Sequence, residues 1–165
     1  MEDQSFPTAM AKKAMHQEAV LVCVTDQRAC ERLIAFGAGL AERNHTELLV
    51  LNIHNQAFES TGKSDALEYL FQVSSRYRAD MSIFYNADPI GVSNDFISRR
   101  NIAQIVTGMP SGAGHFVINL QQTFPHIPLA IVPPAGIVDI EVKDPEESGI
   151  SQEMYEELLS FKQAL

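Results

Sequence analysis

Short apolar, β-branched runs that take turns with stretches of helical periodicity constrain this chain more than any other feature. Ala19–Val24 (AVLVCV), Glu47–Ile53 (ELLVLNI), Asp80–Tyr85 (DMSIFY), Ile102–Thr107 (IAQIVT) and Leu129–Val132 (LAIV) read as five strands. The first is almost wholly apolar, which suits a strand covered on both faces of a parallel sheet. Between the first two strands, Cys30, Leu33, Ile34, Gly37, Leu40 and Ala41 recur at three- and four-residue spacing, and this helix closes near Asn44. A second helix is predicted over Asp65–Tyr77 with Ser64 or Asp65 as its N-cap, and a third over Pro89–Arg99, opened by its proline. A fourth runs from His115 to Thr123 after the glycine-rich turn Gly108–Gly114, and Pro133 and Pro134 end the fifth strand.

Strands alternating with helices are βαβ units, whose right-handed crossovers put helices on both faces of one sheet. The expected fold class is therefore α/β, a doubly wound five-stranded parallel sheet in the order 3-2-1-4-5. Its ligand crevice opens above the carboxyl ends of strands one and four, where the winding reverses. Thr25–Arg28 and Gly108–Gly114 are the loops that line it. A chain of 165 residues fits one such domain with appendages. We expect a flexible N-terminal segment at 1–17, the α/β domain at 18–136, and an acidic linker with a C-terminal helix at 137–165.

Charge and composition exclude several classes of function. The net charge is −9, of which −6 falls from Ile137 onward, and no basic stripe is present. Such a balance repels phosphate backbones, so no nucleic-acid partner is expected. No apolar run approaches the roughly 18 residues of a bilayer crossing, and Met1–Gln17 lacks a signal peptide's apolar stretch; no membrane partner and a cytoplasmic location follow as expectations. Cys23 and Cys30 offer neither a disulfide framework nor a CxxC pair and read as buried or half-buried thiols. His16, His45, His54, His115 and His126 show no HxxxH or HExxH spacing, so no metal site is expected. His54 and His115 are placed where they can approach the crevice.

Catalytic signatures are equally absent. No GxSxG elbow occurs, and Gly62-Lys63-Ser64 echoes the end of a phosphate-binding loop only with Ala57 where the earlier glycine belongs. The acid pairs Glu146-Glu147 and Glu156-Glu157 lie in too polar a stretch for acid–base work. These readings point to sensing or binding rather than to an enzyme. In the tail, Met154, Leu158, Phe161 and Leu165 line one side of a helix from Ser151, beyond the polar linker Asp139–Gly149. That helix is expected to dock on its own domain, on a dimer partner or on another regulatory protein.

VLVCVTDQRACERLI (Val20–Ile34), ISRRNIAQIVTG (Ile97–Gly108) and IPLAIVP (Ile127–Pro133) together resemble the universal stress protein domain, within the adenine nucleotide alpha hydrolase-like group. The version they resemble most is that of KdpD-type potassium-sensing histidine kinases, here free-standing. The LAIV edge strand followed by prolines exposes unpaired backbone groups that a two-fold partner could cover, so a homodimer through the strand-five region is expected. The resemblance implies the same surface, together with a crevice that takes ATP or another adenine nucleotide. The ATP-binding branch has an Asp at the end of strand one, where this chain has Thr25 and only then Asp26 and Gln27. That branch also runs Gly, two residues, Gly, nine residues, Gly and Ser or Thr; Gly108, Met109, Pro110, Ser111, Gly112, Ala113, Gly114 and His115 make a shorter loop. The cyclic-dinucleotide branch uses a serine pair that Thr25-Asp26-Gln27 does not supply. Thr25, Asp26, Gln27, Gly108, Ser111, Gly112, Gly114 and His115 are thus the candidate binding residues. The glycine turn either presents backbone N–H groups to an anion or simply joins strand to helix.

Overall fold

The computed structural model describes residues 17–54, 63–109, 115–133 and 141–142. β1 (Ala19–Val24) leads through a short 3-10 turn (Arg28–Cys30) into α1 (Glu31–Asn44). β2 (Glu47–His54), α2 (Lys63–Arg76), β3 (Asp80–Tyr85), α3 (Pro89–Ser98), β4 (Ile102–Gly108), α4 (His115–Thr123) and β5 (Leu129–Val132) follow. Each strand and helix expected between Ala19 and Val132 is found, with ends within about two residues of the sequence reading, as fraying termini allow. Local chemistry sets those ends. His45, left-handed at φ 53°, stops α1, and Arg78 does the same after α2 at φ 57°. The Asp88 carboxylate caps α3 by accepting from the Gly91 N–H at 3.0 Å, with Pro89 in the first turn.

The five strands pair in parallel in the order β3-β2-β1-β4-β5. Alternation along each strand sorts the core into two layers. Val20, Val22, Val24, Leu48, Val50 and Val106 pack under α1 and α2, with Leu33, Ile34, Leu40, Leu70 and Val73. Leu21, Leu51, Ile105, Leu129 and Ile131 face α3 and α4, with Phe96, Ile97, Val117 and Leu120. Gly37 lets α1 ride close on β1, because a Cβ there would collide with Val22 Cγ2 and come within 3.3 Å of Leu48 Cδ1.

One element departs from expectation. Glu141–Val142, read from sequence as linker, forms β6, which pairs antiparallel with β5 through Ala130↔Val142 and Ile131↔Glu141. The outer side of β5 is therefore taken at these two positions by the chain itself. That weakens the premise of a strand-five dimer, which rested on an unpaired edge there. A two-residue strand has no periodicity by which a sequence could reveal it. The docking helix expected from Ser151 lies outside the described residues. No helix among the described residues is long and apolar enough to cross a membrane.

Candidate functional site

The carboxyl ends of β1, β2 and β4 converge on one rim, and β1–β2 register sets what meets there. Val24 lies opposite Asn52, so the turn that follows β1 passes over the last residues of β2. Within that turn the Gln27 N–H donates to the Thr25 carbonyl at 2.8 Å, and the Gln27 carbonyl accepts from the Cys30 N–H at 3.0 Å. This tight path aims Asp26 sideways across β2. One Asp26 oxygen accepts from the Asn52 side-chain amide at 2.8 Å, and the other lies 2.7 Å from Nδ1 of His54. The same Asn52 nitrogen also donates to the Val24 carbonyl at 3.1 Å. Asn52 and His54 are buried, Asp26 half-buried. Tyr85, at the matching end of β3, meets the His54 ring edge-on with 5.4 Å between centroids.

The other predicted residues divide. Thr25 is exposed, its hydroxyl 3.5 Å from the Cys30 sulfur. Gln27 is exposed and contributes the backbone bonds described above. Gly108 ends β4, and the Arg32 guanidinium stands about 3.9 Å from where a Gly108 Cβ would project. His115 opens α4, exposed. Ser111, Gly112 and Gly114 lie outside the described residues. Sequence reasoning placed His54 near the crevice but missed its bond to Asp26, and it missed Asn52 and Arg32 altogether.

Arg32 holds a cation at this rim, with Nε donating to the Pro133 carbonyl at 2.9 Å and a terminal nitrogen to the Ala29 carbonyl at 2.6 Å. It thereby ties the start of α1 to the exit of β5. Nearby, the Arg28 guanidinium stacks over Tyr69 at 4.6 Å, and the Tyr69 hydroxyl donates to the Glu31 carboxylate. That bond to Glu31 raises the Tyr69 pKa above its ordinary value. Two buried oxygens at the same end, Asn52 Oδ1 and Thr107 Oγ1, have no hydrogen-bond partner among the described residues.

Among the described residues Asp26 is the sole hydrogen-bond partner of the His54 ring, so no hydroxyl or thiol is positioned for it to activate. Burial pushes the Cys23 thiol up to about 12, which leaves it protonated at neutral pH. No three His, Cys, Asp or Glu side chains among the described residues are grouped to hold a metal ion. Two surface depressions lie elsewhere. One of about 940 Å³, lined by residues including Glu42, Thr46, Glu47, Arg76 and Arg78, sits at the opposite, amino end of the sheet. The other, of about 250 Å³, lies outside the β1 turn between Arg28, Asp65, Glu68, Tyr69 and Gln72.

No protein-family model and no curated protein matches the sequence, but solved structures match the fold. A universal stress protein from Archaeoglobus fulgidus superposes with a TM-score of 0.53 at 14% identity, over 74% of this chain and 96% of that one. The universal stress protein UspA from Lactobacillus plantarum gives 0.52 at 16%, over 72% and 97%. A universal stress protein solved in complex with cAMP gives 0.50 at 12%, over 70% and 97%. The chain has the universal stress protein fold; at such identities the likeness is one of fold alone.

Proposed function

We propose that this chain is a small regulatory domain of the universal stress type, which senses a state and passes it on through protein contacts. The observation that carries this reading is the engagement of Asp26. In the ATP-binding branch of the family that the sequence resembles, an Asp at the end of strand one is available to the nucleotide. Here the carboxylate that follows strand one, Asp26, is held by His54 and Asn52 instead. A ligand that needed it would compete with two bonds already made to a half-buried carboxylate, each of which contributes about 1.5–3 kcal/mol. The reading also covers the KdpD-like, cytoplasmic and dimeric character suggested by the sequence.

A second reading, an adenine nucleotide binder with at most slow hydrolysis, is favoured by one feature. The Arg32 guanidinium beside Gly108 gives the rim a fixed positive charge near the loop that would carry phosphate. Thr25, Gln27, Ser111, Gly112, Gly114 and His115 would then complete the site, and a neighbour of the same fold holds cAMP. A thermal-shift panel of ATP, AMP, cAMP and cyclic dinucleotides separates the two. A ligand at about 100 times its dissociation constant stabilises a fold by about 2.7 kcal/mol. The regulatory reading expects no shift across the panel. A clear shift that is lost on replacing Gly112 or Gly114 by a bulkier residue would establish the second reading.

A further inference from the structure

We propose that the β3 edge of the sheet is a homodimer interface, in which β3 pairs antiparallel with β3 of a second copy about a two-fold axis passing beside Ile83. β3 ends the sheet, and among the described residues no strand pairs with its outer side. Sheet edges are ordinarily protected by a lysine, a proline or a bulge. Asp80–Tyr85 contains no lysine or proline, and its register against β2 runs without a bulge. It carries instead the largest exposed apolar side chains of this flank: Phe84 is 40% exposed and Tyr85 58%. Phe71 of α2 joins them at 52%. Tyr69 and Arg76 of that helix reach Glu31 of α1. Phe71 lies about 200° round the helix from Tyr69 and so overhangs the flank away from α1, on the β3 side.

A second copy fits this edge better than an unrelated segment because the edge is complementary to itself. A two-fold axis normal to the sheet keeps each helical layer on its own face, so residues directly opposite must share a face. Met81, Ile83 and Tyr85 share the α1–α2 face, since they lie opposite Val50, Asn52 and His54 in the β2 register. Centring the axis on Ile83 sets Met81 against the partner's Tyr85, Ile83 against itself, and Ser82 against the partner's Phe84. Aromatic and β-branched cross-strand pairs of this kind are the stabilising ones. The same register runs the start of β3, which follows Arg78, beside the end of the partner's β3, which leads to Asp88, so these opposite charges flank the pairing at each end. Neither residue has an ion-pair partner among the described residues. Centring on Phe84 would oppose Asp80 to the partner's Asp88, two like charges, and centring on Ser82 would press Asp80 against the partner's Phe84. Charge and shape therefore choose one register.

The inference does not depend on whether a nucleotide binds. It is tested with the full chain by sedimentation equilibrium, together with Ile83→Cys, Arg78→Asp and, as a control on the outward side of α2, Glu68→Cys. Antiparallel opposite residues lie about 4.5–5.5 Å apart at Cα, within the range a disulfide spans. We expect a concentration-dependent dimer of the wild type and near-complete oxidative cross-linking of Ile83→Cys. Glu68→Cys should give little cross-linking, and Arg78→Asp, which removes both symmetry-related charge pairs and sets like charges together at each, should weaken the dimer about tenfold or more. A wild type that stays monomeric at about 100 µM, a concentration that a dimer of micromolar dissociation constant would saturate, overturns the proposal. So does a dimer in which Ile83→Cys cross-links no better than Glu68→Cys and Arg78→Asp has no effect, because it would be built on another surface.

Discussion

Nδ1 of His54 and a carboxylate oxygen of Asp26, 2.7 Å apart, join the end of β2 to the turn after β1. Their side chains retain only 10% and 12% of their exposure, so the bond is made out of bulk water. A polar contact so shielded costs more to break than to forgo, because the group left behind has no water to turn to. His54→Ala should therefore lower stability by about 1–3 kcal/mol. An Asp26→Ala, His54→Ala double-mutant cycle should show a coupling of about 0.5–3 kcal/mol. Urea denaturation of the four proteins measures both; additive single effects would mean the bond contributes nothing.

Gly37→Ala should be destabilising although alanine is the better helix former. The added methyl runs into Val22 Cγ2 on β1, and both the glycine and the valine are buried. Overpacking of this sort costs about 1–3 kcal/mol against a helix-propensity gain of about 1 kcal/mol. A fall in the urea midpoint at unchanged slope is expected. A rise would show that α1 can lift from the sheet at little cost.

Cys23 makes stability depend on alkaline pH. Its folded-state pKa lies above the unfolded one, so its contribution is complete below about pH 9 and is lost as pH rises toward about 12. In that window the unfolded chain releases a proton that the folded chain keeps. The loss approaches about 1.4 kcal/mol per pH unit. Cys23→Val should flatten the stability profile between about pH 9 and 10.5 relative to wild type. The folded thiol should also resist alkylation at neutral pH and react once urea is added.

Replacing Arg32 should loosen the join between α1 and the exit of β5. Arg32→Ala removes two bonds to the Pro133 and Ala29 carbonyls, and about 1–2 kcal/mol of stability should go with them. Arg32→Lys should recover little, since one ammonium cannot reproduce the planar fork. Faster amide exchange of β5 in both variants checks this.

The order of the strands was legible because β-branched runs and helical spacing alternate without interruption from Ala19 to Val132. The site was legible only as a place. Asp26 follows β1 by two positions and was recognised as a departure from the ATP-binding pattern, but its partners Asn52 and His54 stand 26 and 28 residues away. Only the parallel register that sets Val24 against Asn52 brings them within reach, and one residue of slip would turn both to the other face. Arg32 was hidden for a different reason. It sits on the polar side of an amphipathic helix, where a cation bonded to a distant carbonyl looks like any solvated arginine.

Whether the carboxylate after β1 serves the protein itself or a nucleotide is read out by calorimetric titration of ATP with magnesium into the wild-type protein. No binding heat is expected at about 1 mM nucleotide, corresponding to an affinity weaker than about −4 kcal/mol. Saturable binding with a dissociation constant of about 10 µM or tighter, abolished by Asp26→Ala, would contradict that expectation, because Asp26 would then be serving the ligand rather than His54 and Asn52.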